Sequence, residues 1–150
     1  KISQNWLKMV ASITLGAIFL TAWDFVLDPA MSQTTLPFWV WEQPGAFFGM
    51  PYQNFAGWFG TGAVFMTVAT LIWKVKPFNF PQSNLGVPLA IYVSNFAFAM
   101  IMSLAAGIYI PVLLGLIVGL LPVLVLYRLA DSQTDANISE NLVKVSFNNG

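Results

Sequence analysis

The sequence predicts an all-α fold, a polytopic membrane helix bundle of about four transmembrane helices with an aromatic re-entrant or interfacial loop. Hydrophobic residues make up 57% of the 150-residue chain and charged residues only 8%, whereas soluble domains carry roughly 25% charged residues. The apolar stretches are continuous and lack the alternation of a membrane barrel strand, so helices are the spanning structure that fits them. We therefore expect lipid to surround most of the surface.

Charge-free stretches define the individual helices. Residues 43–73 and 77–127 contain no charged side chain. A crossing takes about 20 apolar residues, so the second stretch must cross twice, and we expect it to reverse near 107–111, where glycine and proline interrupt the run. The predicted transmembrane domain, 1–129, has helices at 7–28, 54–73, 86–106 and 109–128 and a loop at 29–53, and it is followed by a polar, flexible tail at 130–150.

Small residues in the third and fourth helices indicate where helices contact each other. Gly115 and Gly119 form a GxxxG pattern, and Ala99, Ser103 and Gly107 are spaced in the same way. Such spacing lets membrane helices approach closely. Asn95, midway along the third helix, has two interpretations, an interhelical hydrogen bond or a contact with substrate or water.

All the basic residues fall on one side of this arrangement. They are Lys1, Lys8, Lys74, Lys76, Arg128 and Lys144. The positive-inside rule assigns their side, and with it both termini, to the cytoplasm. The 29–53 loop lies on the opposite face and has no Lys or Arg.

The composition also excludes several kinds of chemistry. The chain has no histidine and no cysteine, which removes Ser-His-Asp triads, thiol nucleophiles, iron–sulfur clusters and the usual zinc sites. We expect no metal and no cofactor. The net charge of zero, without a basic run, argues against nucleic-acid binding. Proton chemistry is left to carboxyl groups, lysines and tyrosines.

Asp24 and Asp28 lie one turn apart on the same face of the first helix, and we expect this helix to end near Pro29. The apolar neighbours, the second carboxylate and the helix C-terminus all disfavour an anion at Asp24. The sequence therefore predicts a neutral, proton-donating Asp24. The alternative is that both aspartates are hydrated residues at the membrane interface.

The 29–53 loop is too aromatic for a segment in water, and we expect it to fold back against the helices or to lie in the interface. Glu42 is the only charge between Pro29 and Gln53. The aromatic side chains either line an apolar cleft whose π faces stabilise a developing cation or anchor the protein at the headgroups. They are Trp39, Trp41, Phe47, Phe48, Tyr52, Phe55 and Trp58.

Four sequence elements resemble the carotenoid biosynthesis membrane protein family, which includes bacterial carotenoid 1,2-hydratases and haloarchaeal bisanhydrobacterioruberin hydratases. They are Trp23-Asp24, Asp28-Pro29, Trp39-Val40-Trp41 and the stretch 45–58. The resemblance covers what corresponds to the C-terminal half of the members. It implies a multi-pass enzyme of the bacterial plasma membrane, or of the thylakoid in a cyanobacterium. The implied reaction is addition of water to the terminal double bond of a linear (ψ) carotenoid end group, as in γ-carotene or lycopene.

The catalytic roles in this reaction are hypotheses assigned from the chemistry of the residues themselves. Asp24 donates a proton to the alkene, aromatic side chains stabilise the resulting cation, and Asp28 or Glu42 positions the water. The candidate substrate-binding residues are Trp23, Trp39, Trp41, Phe48, Tyr52, Gln53, Asn54 and Trp58. The implied partners are the carotenoid substrate, the lipid bilayer and other enzymes of the pathway such as a glycosyltransferase.

Two other functions compete with hydration. An Asp-x-x-x-Asp pair in a membrane helix is also typical of membrane prenyltransferases, in which acidic clusters hold Mg²⁺ on a diphosphate. That chemistry usually needs Lys or Arg near the phosphates as well, and here the basic residues are expected on the opposite side. The other alternative is a non-catalytic subunit whose aromatic residues hold a carotenoid without changing it.

Overall fold

The computed structural model describes residues 2–76 and 85–148, and most of the connection between the second and third predicted helices lies outside them. The helices are α1 (Ile2–Gln33), α2 (Tyr52–Val75), α3 (Gly86–Ala105), α4 (Tyr109–Gly115), a π turn (Leu116–Leu120) and α5 (Leu121–Asn148). Four segments of the described residues are long and apolar enough to cross a membrane: Asn5–Gln33, Tyr52–Val75, Gly86–Ala105 and Tyr109–Gln133. The all-α, four-span prediction is confirmed.

The first helix extends beyond its expected end at Asp28. It includes Pro29 and continues to Gln33. Proline removes one hydrogen bond, the one to the carbonyl of Phe25, four residues earlier, and membrane helices tolerate this loss where neighbouring groups pack around the site. The hydroxyl of Ser103 in α3 donates a hydrogen bond of 2.7 Å to the carbonyl of Val26, the residue that follows Phe25. The helix therefore passes through the proline.

The fourth span is built from three segments rather than one regular helix. Ala106, Gly107 and Ile108 separate α3 from α4, and Gly107 has a φ of +74°. The π turn ends at Leu120, two residues before Pro122, and this proline has no N–H to donate to the carbonyl of Val118. The last helix then runs to Asn148, through the segment that the sequence analysis separates as a polar tail. The flexibility of that tail stays a prediction.

Helix α1 lies at the centre of the bundle and packs against α2, α3 and α4. The buried apolar core consists of Val26, Leu27, Met31, Phe96, Ala99 and Val112. Close contact between α1, α3 and the fourth span depends on glycine, because a Cβ at Gly119 would lie 3.0 Å from Phe96 and 3.1 Å from Ala22. The contact predicted for the GxxxG pattern is thus present in the packing. Only Gly62 of α2 is buried, so α2 presents most of its surface outward.

Asn95 makes a different contact from the one expected of it. Its side chain is exposed and donates to the Ile91 carbonyl of its own helix, at 2.8 Å. The interhelical hydrogen bond at this position uses the backbone: the indole N–H of Trp23 donates to the Asn95 carbonyl at 3.2 Å. This bond fixes Trp23 one residue before the acidic pair.

Candidate functional site

Two carboxyl groups are buried inside the apolar bundle. Asp24 is 0% exposed and Asp28 is 3% exposed. Both project from α1, one turn apart, toward the first turn of α2. The two groups are within hydrogen-bonding range of each other. The predicted pair on one helix face is therefore enclosed by protein.

Asn54 of α2 connects both carboxyl groups. Its Nδ2 atom lies 3.0 Å from Oδ2 of Asp24 and 2.5 Å from Oδ2 of Asp28. The same amide nitrogen is 3.0 Å from the sulfur of Met50. The side chain of Trp58, one turn further along α2, is another hydrogen-bond partner of Asp28. One amide group thus holds two acids that repel each other whenever both are ionised.

The two carboxyl groups differ in how well their oxygens are paired. Asp28 has Asn54 and Trp58 as donors. Asp24 has one oxygen on Asn54, whereas its Oδ1 atom is buried and has no hydrogen-bond partner in the part of the chain that the structure describes. An oxygen that lacks a donor in an apolar interior is strongly disfavoured as an anion. The geometry distinguishes the two members of the pair.

Positive charge lies far from this site. The groups that act on the two carboxyls within the described ranges include no Lys or Arg. Lys8 precedes Asp24 by 16 residues on the same helix, which corresponds to about 24 Å at 1.5 Å per residue. Lys74 follows Asn54 by 20 residues on α2, or about 30 Å. The acidic pair has no counter-ion from either helix that forms it.

A tight turn before α2 positions Met50. The Gly45 N–H donates to the Gly49 carbonyl at 2.8 Å, and the Met50 N–H donates to the Phe47 carbonyl at 2.9 Å. Gly49 has a φ of +86° and Phe48 a φ of +49°. The side-chain amide of Gln33, at the end of α1, donates to the Phe48 carbonyl. The turn is thereby held on α1, and Met50 is fully buried beside Asn54.

Aromatic rings surround the first turns of α2 in two groups. Phe25, Phe47 and Phe55 are in mutual contact, with ring centroids 4.8 to 5.9 Å apart. Trp23 and Trp58 meet edge to face at 5.7 Å, so that an indole of each helix stands next to the carboxyl pair. The second half of the loop folds back against the helices, as the aromatic composition indicated.

The remaining predicted site residues lie apart from the pair. Glu42, Tyr52 and Gln53 are exposed, and no group of three acidic side chains in the described residues is close enough together to bind a metal ion. Trp39 is 36% exposed, whereas Trp41 is partly buried. The structure thus brings together Trp23, Asp24, Asp28, Asn54 and Trp58, and it leaves Glu42 outside this group.

A groove opens beside the pair on the surface of α2. Its volume is about 370 Å³, and it is lined by Asn54, Gly57, Trp58 and Thr61. Thr61 was not predicted as a site residue, although its spacing of seven residues from Asn54 places both on one helix face. Met50 was not predicted either, and no sequence pattern marks it, because its position depends on the turn at 45–50. The groove thus reaches the two α2 residues that contact Asp28, Asn54 and Trp58.

The chain is similar to known carotenoid biosynthesis proteins. The family model described as "Carotenoid biosynthesis protein" matches residues 1–122. The chain is also similar to a bisanhydrobacterioruberin hydratase from Haloarcula japonica, with 43% identity over 51 residues. That stretch is 34% of this chain and 16% of the relative, so the chain matches only a small part of the relative's length. No solved structure matches. The chain belongs to the carotenoid biosynthesis protein family.

Proposed function

We propose that this protein hydrates a carotenoid. The substrate is a carotenoid with a linear end group, such as lycopene or γ-carotene, and the product is a tertiary alcohol. Family membership supports a role in carotenoid biosynthesis, and the partial similarity to a bisanhydrobacterioruberin hydratase supports hydration. The single observation that carries the proposal is the buried Asp24–Asp28 pair joined by Asn54.

The pair is suited to hold one proton. Two carboxyl groups in contact do not readily ionise together, above all where burial removes water and no cation is near. Asp28 has the two donors and is the better place for the negative charge, whereas Asp24 has the unpartnered oxygen. Asp24 therefore carries the proton and is the acid, and Asp28 is the base.

The reaction balances within this pair. Asp24 transfers its proton to the less substituted carbon of the terminal alkene, and the π electrons form the new C–H bond. The other alkene carbon becomes a tertiary cation. A water molecule adds to it through oxygen, and its surplus proton passes to Asp28. Return of that proton to Asp24 across the carboxyl contact restores the starting state, so the net change is addition of one water.

Trp58 and Trp23 have the chemistry to stabilise the cation. An indole face attracts positive charge more strongly than the other aromatic rings, and Trp58 lines the groove next to Asn54. Apolar walls limit the water that reaches the cation, which protects it from unselective reaction. Glu42, which is exposed in the loop, has no role in the proton transfer or in the addition of water in this mechanism.

The test is pigment analysis in a bacterium that makes lycopene or γ-carotene. We expect the protein to give a more polar pigment that is heavier by one water, about 18 mass units, and we expect Asp24→Asn to lower its yield by about 10²-fold or more. Asp131→Asn, on the exposed part of α5, is the matched control and should leave the yield unchanged. Full turnover by Asp24→Asn would refute the acid assignment. Unchanged pigment with membrane-inserted protein would refute hydration, and Mg²⁺-dependent activity on a prenyl diphosphate would identify a prenyltransferase instead.

A further inference from the structure

The groove beside the acidic pair continues along α2. A second groove, of about 570 Å³, is lined by Gly60, Thr61, Val64, Phe65 and Val68, and it shares Thr61 with the first. Together the two grooves follow one face of α2 from Asn54 to Val68. These 14 residue steps correspond to about 21 Å along the helix axis, which is most of the hydrocarbon thickness of a bilayer.

Each of the two grooves is lined by a glycine, the first by Gly57 and the second by Gly60. A Cβ atom at Gly57 or Gly60 would have no atom within 4 Å. Gly62 on the same helix is different, because its Cβ would lie 3.3 Å from Ala17 of α1 and it is needed for helix packing. The described helices therefore give no packing reason for glycine at positions 57 and 60. Because glycine has no side chain, the α2 backbone at these two positions is uncovered and the space beside the site stays open.

The polarity of the combined groove changes along its length. Asn54, which contacts the carboxyl pair, and Thr61 are polar, whereas Val64, Phe65 and Val68 form a hydrocarbon surface further along. Thr67 and Thr70 of α2 each donate to the carbonyl four residues earlier, at 2.7 Å. For Thr61, which lines both grooves, the structure records no hydrogen bond within the described ranges.

We infer that this face of α2 binds the linear isoprenoid chain of the substrate. This inference rests on the proposed function and extends it by placing the rest of the carotenoid molecule. The groove has polar residues at one end, where Asn54 contacts the buried acids, and only hydrocarbon at the other, which fits a long apolar molecule with one reactive end. A lipid acyl chain needs no acid at its end, and a packed helix would fill the space above Gly57 and Gly60.

The binding test is photocrosslinking in the purified protein, reconstituted in phosphatidylcholine vesicles that contain lycopene. A diazirine amino acid replaces either Val64, which is 66% exposed in the groove, or Ala56, which is exposed on α2 and lines neither groove. We expect an adduct of lycopene mass at position 64 and lipid adducts alone at position 56. Lipid adducts alone at both positions, or crosslinks between two copies at position 64, would overturn the inference.

The functional test narrows the groove in the same protein. Gly60→Leu places a side chain in the open space and should lower hydration of lycopene roughly tenfold, as overpacking of a binding site does. Val64→Trp should act in the same direction, whereas Ala56→Leu should have no effect. Hydration at the normal rate in both groove variants would overturn the inference and leave the hydratase proposal intact. A lycopene adduct at position 64 in a protein that adds no water would support the groove and refute the hydratase.

Discussion

Asn54 donates a hydrogen bond of 2.5 Å to Asp28, and this contact joins the first turn of α2 to the last turns of α1. The two residues are 26 positions apart in the chain, separated by the aromatic loop. The same amide group reaches Asp24. A single side chain thus decides whether two buried acids have a common donor, and most of the expected behaviour of the site follows from it.

Replacement of Asn54 by Leu should damage both stability and activity. The change keeps the size of the side chain but removes the donor from two buried carboxyl groups, which costs about 1–3 kcal/mol for each unsatisfied group. We expect a lower Tm in detergent and a loss of hydration of about 10²-fold. Asn5→Leu, at an exposed position near the start of α1, is the matched control. An unchanged Tm and pigment profile in Asn54→Leu would contradict the bridging role.

Variants of Trp58 separate its π face from its N–H group. Trp58→Phe keeps an aromatic face but loses the hydrogen bond to Asp28, whereas Trp58→Leu loses both. If the ring stabilises the cation, Trp58→Leu should lower the hydration rate about tenfold below that of Trp58→Phe. Trp6→Leu, at an exposed position remote from the site, should leave the rate unchanged. Equal rates for Phe and Leu at position 58 would show that the π face is not used.

A larger side chain at Gly115 should destabilise the bundle. A Cβ at this position would lie 2.8 Å from the Phe96 ring, and it would also collide with Val26 of α1. Gly115→Leu should therefore cost about 1–3 kcal/mol or more through overpacking, and thermal unfolding in detergent would measure the effect. Ala97→Leu adds volume at an exposed position of α3 and should be tolerated. A normal Tm for Gly115→Leu would mean that the fourth span does not pack against α1 in this way.

The orientation of the protein is testable because the chain contains no cysteine. By the positive-inside rule, the ends that carry Lys and Arg face the cytoplasm and the aromatic loop faces the other side. A thiol introduced by Gln43→Cys should react with a membrane-impermeant maleimide on intact cells. One introduced by Ser132→Cys should react only after permeabilisation. The reverse labelling pattern would assign the acidic pair to the cytoplasmic half of the membrane.

The sequence predicted the fold more completely than the site. Runs without charge are enough to locate four spans, because lipid tolerates few charged side chains. The continuation of α1 past Pro29 was not predictable in the same way, because proline usually marks a helix end and only the packing around α1 in the folded bundle distinguishes this case. Asp24 and Asp28 were recognisable from their spacing on one helix, whereas the bridge from Asn54 requires the turn at 45–50 to bring α2 into register. Glu42 has the right chemistry but lies on the exposed part of the loop.

The carboxyl pair also bears on how the chain enters the membrane. An aspartate costs about 2.5–3.5 kcal/mol at the centre of an inserting helix, and α1 carries two aspartates in the C-terminal half of its span before α2 has been synthesised. The group that satisfies them, Asn54, leaves the ribosome 26 residues after Asp28. We therefore expect α1 to stay at the translocon until α2 has been synthesised. The two helices then enter the bilayer together as a helical hairpin. A ribosome stalled before Asn54 emerges should leave α1 exposed to quality-control proteases, so the acids that serve the chemistry also set the order of assembly.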